Sequence, residues 1–241
     1  MNTTLKVLSL LLTYPSAELL SGLPELKAAL QEDAALGDRE LKLVTRLIDD
    51  IGRLDLYDAQ ERYVFLFDRT RTLSLHLFEH VHGESRDRGQ AMVDLMGMYE
   101  VDGFEIDAKE LPDFLPMFLE YLSNKPAAEA RELLGQTAHI ITVLKQRLRK
   151  RESVYVNAFV ALESIARGKP DAKLVRELLA VPEDDPNDLE ALDRIWEEEA
   201  VTFGGNAGEG ACGPDRIQRQ MRAYQRKPDD QLPGQPTRLG G

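Results

Sequence analysis

The sequence predicts an all-α protein: a single globular bundle of roughly nine to eleven helices followed by a flexible C-terminal tail. Three observations lead there. Apolar residues recur at steps of three and four, as in Leu41, Val44, Ile48 and Ile51, which lines one face of a helix. Capping and stopping residues fall between these stripes. No strand–helix–strand alternation, internal repeat, P-loop or dinucleotide fingerprint interrupts them.

Thr3 or Thr4 can cap a first helix carrying Leu5, Leu8, Leu11 and Leu12, which Pro15 stops. Ser16 can cap a short turn, and Pro24 is expected to open a second helix with Leu26 and Leu30. Asp38 caps a third helix and Asp55 begins a fourth, containing Tyr63, Leu66 and Phe67. Leu73 to His82 is expected to continue helically up to a stop at Gly83. Ser85 can cap the next helix, which runs through Met92, Leu95, Met96 and Tyr99 and frays at Gly103. Glu110 to Leu122 reads as a helix with both its prolines early.

Pro126 precedes one long helix with Leu133, Leu134, Ile141, Leu144 and Leu148, ending in the basic run Lys145 to Arg151. Ser153 can cap another, with Tyr155, Phe159, Leu162 and Ile165. Val154, Val156 and Val160 also alternate as in a strand, but no partner strand is evident. Short helices follow around Leu174 to Leu179 and Leu189 to Val201. From Gly204 the composition turns to linker chemistry, so residues 1–203 are expected to form the helical domain and 204–241 a Gly-rich linker and tail. Within that tail, Asp215 to Lys227 can form a short basic helix.

At 241 residues with 43% hydrophobic content, the chain can bury a full core. A net charge of −12 argues against nucleic acid or an anionic membrane surface as partner and favours a basic peptide. Cys212 is the sole cysteine, so no internal disulfide is available. The apolar run from Val7 to Leu12 is far shorter than the roughly 20 residues a membrane span needs, and no signal-peptide cleavage pattern follows it. A cytoplasmic address is expected.

Three of the four histidines, His76, His80 and His82, crowd into one stretch beside Phe78, Glu79, Arg86 and Arg88. His76-Leu-Phe-Glu79-His80 spells the inverted zinc-protease motif. On a helix the two histidines would share a face, with Glu79 as general base. Against that chemistry, the motif ends almost at the Gly83 break. The other reading is a recognition surface, and a generic helical adaptor is a third.

Leu75-His-Leu-Phe-Glu-His-Val-His-Gly-Glu-Ser-Arg-Asp-Arg-Gly-Gln-Ala-Met92, followed by Glu110-Leu-Pro-Asp-Phe-Leu-Pro116, closely resembles the NarJ family of nitrate reductase molybdenum cofactor assembly chaperones. Trp196-Glu-Glu-Glu-Ala-Val-Thr-Phe203 looks like the end of that family's folded body. The resemblance spans about residues 5 to 203. It implies the TorD-type helical chaperone fold, a cytoplasmic location and no enzymatic, metal or resident cofactor chemistry. Its implied partner is the apo catalytic (alpha) subunit of nitrate reductase. That subunit is bound through its N-terminal, twin-arginine-like segment and held open for cofactor insertion before membrane docking. Molybdenum cofactor delivery proteins are further candidate partners.

A basic amphipathic peptide needs an apolar groove with acidic edges. The candidate surface comprises Leu75, His76, Phe78, Glu79, His80, His82, Glu84, Arg86, Asp87, Arg88, Met92, Glu110 and Asp113. Leu75, Phe78 and Met92, with Leu95 and Met96, would form the apolar wall, methionine fitting varied partners. Glu79, Glu84 and Asp87 would meet peptide arginines. Plainer roles stand beside these. The Met and Leu stripe also reads as core, the histidines as satisfied hydrogen-bond partners, and Arg86 and Arg88 as fixing a helix junction through Glu79, Asp87 or Asp94. His139 reads as structural.

Overall fold

The computed structural model describes residues 2–82, 86–106, 110–185 and 187, and of Arg86 only the backbone. Eleven α-helices run through these residues, and the only strand-like pairing among them is a single bridge between His76 and Phe114. No described helix is long and apolar enough to cross a membrane.

Helix α1 (Asn2–Leu11) is the buried axis: Leu5, Leu8 and Leu11 on it are inaccessible to solvent. It packs against α2 (Ala17–Asp33), α7 (Leu115–Ser123) and α10 (Val156–Ile165). Its first turn is capped from outside: the Asp33 carboxylate at the end of α2 accepts from Thr4 N at 2.9 Å and from Thr4 Oγ1 at 2.6 Å. Ser16 caps α2 by accepting from Leu19 N at 3.1 Å.

Pro24 lies inside α2 and does not open a new helix. Its missing N–H leaves the Leu20 carbonyl without a ladder partner. The stripe Leu19, Leu20, Leu23, Leu26 and Leu30 nevertheless stays packed against the core across the proline, and that burial carries the helix through. Helix α3 (Asp38–Ile51) takes Gly37, not Asp38, as its N-cap. Asp55 caps α4 (Leu56–Tyr63) through Asp58 N at 2.9 Å, as expected. A π-helical turn, Val64–Asp68, then drives Leu66 and Phe67 into the core. There Phe67 sits between Tyr63 and Tyr155, at ring distances of 5.0 and 5.1 Å.

The expected helix from Leu73 to His82 is not formed. A 3-10 turn at Arg71–Leu73 leads into extended backbone, and only Glu79–His82 (α5) is helical. Helix α6 (Arg86–Val101) follows, and Gly103 turns the chain at a φ of +81°, which glycine adopts freely. Pro116 falls in the first turn of α7 as expected, but Pro112 lies in the loop before it. The long helix expected after Pro126 is two: α8 (Ala127–Gln136) and α9 (Ala138–Lys150). Thr137 breaks them, its hydroxyl donating to Leu134 O at 2.9 Å in place of the helical ladder. The bend lets both helices pack on α10. Ser153 accepts from Tyr155 N before α10, and of the alternating valines Val154 lies in that turn while Val156 and Val160 are helical. Helix α11 (Ala172–Ala180) packs on α9. Gly83, Glu84, Ser85, the segment 189–201 and the tail from 204 lie outside the described residues.

Candidate functional site

The central histidine stretch is held by one buried carboxylate. Asp113, fully inaccessible, accepts from Phe78 N at 2.9 Å and faces His76 Nδ1 at 3.2 Å. Around it the two chain segments pair: Leu77 N donates to Asp113 O at 3.0 Å and Leu115 N to Leu75 O at 2.8 Å. With the Asp113 oxygen accepting, Nδ1 carries the imidazole hydrogen. The ring lies 5.3 Å from that of Phe114, and Nε2 stands 3.9 Å from Glu110. Burial works against charging His76, but Asp113, Glu79 and Glu110 outweigh it and hold the imidazole above its usual range.

His80 is directed elsewhere. Its Nε2 donates to Ser74 O at 2.8 Å, and burial keeps it below the ordinary histidine range. His82 sits edge-on to Phe78 at 5.6 Å and is likewise lowered by burial. Glu79 pairs with Arg88 at 3.2 Å, tying α5 to α6. His76 precedes α5, so His76 and His80 share no helix face. Among the described residues no cluster of His, Cys, Asp or Glu is arranged to hold a metal. The zinc-protease geometry read from the motif is therefore not formed.

The apolar wall expected here is mostly core. Leu75, Phe78 and Leu95 are 2%, 3% and 1% exposed, so they pack the interior and do not line a groove. Met92 is half-buried against the core, and Met96 on α6 is exposed. Asp113 is likewise too deeply buried to meet a partner. Asp87 is exposed and Glu84 lies outside the described residues.

An open cleft of about 440 Å³ lies next to the Asp113 junction, between α1, the end of α6 and the start of α7. Its floor is apolar: Tyr99, Phe104, Ile106, Phe114, Met117 and Tyr121. Glu105, Glu110 and Glu120 stand at its edge, all exposed. The Gly103 turn makes it, since Phe104 N bonds back to Tyr99 O at 2.9 Å and lays the Phe104 ring 5.5 Å from that of Tyr121. Tyr99 is fixed by its hydroxyl donating to Pro112 O at 2.9 Å, and Tyr121 by its hydroxyl on Asp102. Lys6 on α1 pairs with Glu120. Of the residues singled out from sequence, only Glu110 lines the cleft; His76 stands behind it through Phe114 and Glu110. The sequence does not point to Phe104 and Ile106, because two apolar residues in a short turn have no helical period. Their alternation with Glu105 was the available signal.

The helical body thus carries an apolar cleft with an acidic edge. The fold matches the crystal structure from Archaeoglobus fulgidus described as a "Putative Redox Enzyme Maturation Protein", with a TM-score of 0.50 over 68% of this chain and 92% of that one, at 18% identity. A sequence profile described as "Nitrate reductase delta subunit" matches residues 17–161. The chain is 42% identical to the nitrate reductase molybdenum cofactor assembly chaperone NarJ of Escherichia coli K12, covering 91% of this chain and 92% of the relative. It is 43% identical, over 91% of each chain, to the "Probable nitrate reductase molybdenum cofactor assembly chaperone NarW" of the same strain. The chain belongs to the nitrate reductase delta subunit family, the family of the NarJ chaperones. These relatives are named as assembly chaperones, not as enzymes.

The histidines make stability pH-dependent, with opposing signs. His139 on α9 is 5% exposed and its Nε2 has no hydrogen-bond partner among the described residues. Burial lowers its pKa to about 4. Below the unfolded value, near 6.5, the unfolded chain takes up a proton that the folded chain refuses, so acidification destabilises. His80 and His82 act in the same direction. His76, raised, does the reverse: its contribution is full below 6.5 and fades as pH climbs through its folded value. Between pH 6.5 and 5, His139 alone is expected to remove about 1.5 kcal/mol. Urea unfolding of the wild type and of His139→Gln at both pH values checks this. An equal pH dependence in the two proteins would show that His139 does not carry it.

Proposed function

We propose that the chain is an assembly chaperone of nitrate reductase that binds the N-terminal segment of the apo catalytic subunit in the cleft between α1, α6 and α7. In this reading it holds that subunit in the cytoplasm, competent for molybdenum cofactor insertion, before the enzyme docks on the membrane. Molybdenum cofactor delivery proteins are further candidate partners. Family membership supports the client, and the cleft supports the mode of binding. The observation that carries it is the apolar floor edged by Glu105 and Glu110, which complements a basic amphipathic peptide.

Calorimetric titration with the leader peptide of the same organism's catalytic subunit tests it, at pH values on either side of 6.5. Saturable binding is expected. Phe104→Ala, which removes a floor ring, should weaken it by about tenfold or more. Met96→Ala, on the exposed face of α6, should leave it unchanged. The reverse pattern would move the site to α6, and no binding by the folded protein would refute leader recognition.

A further inference from the structure

The sequence beyond the described residues contains a segment with the chemistry of the proposed client. Residues 216–227 read Arg-Ile-Gln-Arg-Gln-Met-Arg-Ala-Tyr-Gln-Arg-Lys, with five basic residues and no acidic one. Ile217, Met221 and Tyr224 follow at steps of four and three, the spacing of one helical face. At the same period Arg219, Arg222 and Arg226 fall on the opposite face. The pattern is that of a basic amphipathic peptide.

The cleft offers the complement. Phe104, Met117 and Tyr121 give it an apolar floor, and Glu105 and Glu110 an acidic edge, Glu120 being held by Lys6. Charge is divided the same way along the chain. From Gly204 onward six Lys/Arg stand against four Asp/Glu, so the net charge of −12 comes from the body. Length imposes no barrier: the 28 residues from 188 to 215 can span up to about 90 Å. A tethered ligand also enjoys an effective concentration of order millimolar, so a weak match suffices to fill the site.

We propose that the chain's own segment 216–227 occupies the apolar, acidic-edged cleft when no client is bound, and that the client's N-terminal segment must displace it. The competition rests on the reading of the cleft as the client site; the contact between tail and cleft does not. Self-occupancy would cover the apolar floor while the chaperone waits. It would also lower client affinity in proportion to the fraction of chains left open.

Cys212, the sole cysteine, lies four residues before Arg216 and gives a handle in the full-length chain. A nitroxide attached there should broaden the NMR signals of Ile106 and Met117 and spare those of Thr45 and Arg46 on α3, which packs on α2 and α10 and lines no part of the cleft. The double substitution Ile217→Asp/Met221→Asp should abolish that broadening and raise leader-peptide affinity about tenfold. No selective broadening would overturn the proposal. So would broadening confined to residues 181–187, which would place the tail against the acidic segment before it. Peptide that binds without relieving the broadening would overturn the competition. Broadening that the double substitution abolishes, in a protein that binds no leader peptide, would uphold the tail contact and refute the client reading alone.

Discussion

Asp113→Ala is expected to destabilise the fold by about 3 to 4 kcal/mol, the scale for stranding buried polar groups in a network. The carboxylate is wholly inaccessible and serves two donors, the Phe78 amide at 2.9 Å and His76 Nδ1 at 3.2 Å. Alanine leaves both facing a void. Asp113→Asn keeps one acceptor oxygen and the volume, and should cost about half as much. The histidine provides a second readout. Asp113 is the leading influence that holds His76 above its usual range against burial. In Asp113→Asn the His76 midpoint, followed by NMR, should therefore fall. An unchanged midpoint together with unchanged stability would show that the carboxylate does not hold the junction.

Gly135→Ala should cost about 2 to 3 kcal/mol, the scale of overpacking a tight contact, although alanine is the better helix former. A Cβ at this position in α8 would stand 2.1 Å from Arg167 O and 3.1 Å from Arg167 C. These are backbone atoms, and Arg167 N is tied to Arg131 O at 2.8 Å, so the neighbour cannot swing away. The helices must separate or the turn after α10 must break. Gly22→Ala is the control: nothing lies within 4 Å of its Cβ, in the interior of α2, so it should gain about 1 kcal/mol from helix propensity. A rise in the unfolding midpoint of Gly135→Ala to match Gly22→Ala would show that the close approach is not rigid.

Much of the bundle follows from local chemistry. The stripe on α3, the Asp55 cap, the Ser16 cap and the stop near Gly103 depend on residues within a turn or two of one another. Family membership was legible too, because it rests on the order of side chains from Leu75 to Pro116 and not on their positions in space. The candidate site was legible only in part. Glu110 carries the charge pattern of an edge residue and lies at the cleft, whereas Leu75 and Phe78 read as a surface wall and lie in the core.

The failures share a cause: long-range contacts that outbid local preference. Pro24 should end a helix, but burial of the leucines on either side of it carries α2 through. Leu133 to Leu148 should form one helix, but packing of both halves on α10 bends it at Thr137. The stretch from Leu75 to Phe78 has helical residue types, yet its amides and carbonyls pair with Asp113 and Leu115, some forty residues away. By itself the sequence determined the helical class, the Ser16 and Asp55 caps and the family, because each depends on residues near in the chain. The tertiary structure alone decided the backbone around His76 and where the apolar cleft opens, because both are set by partners the chain meets only on folding.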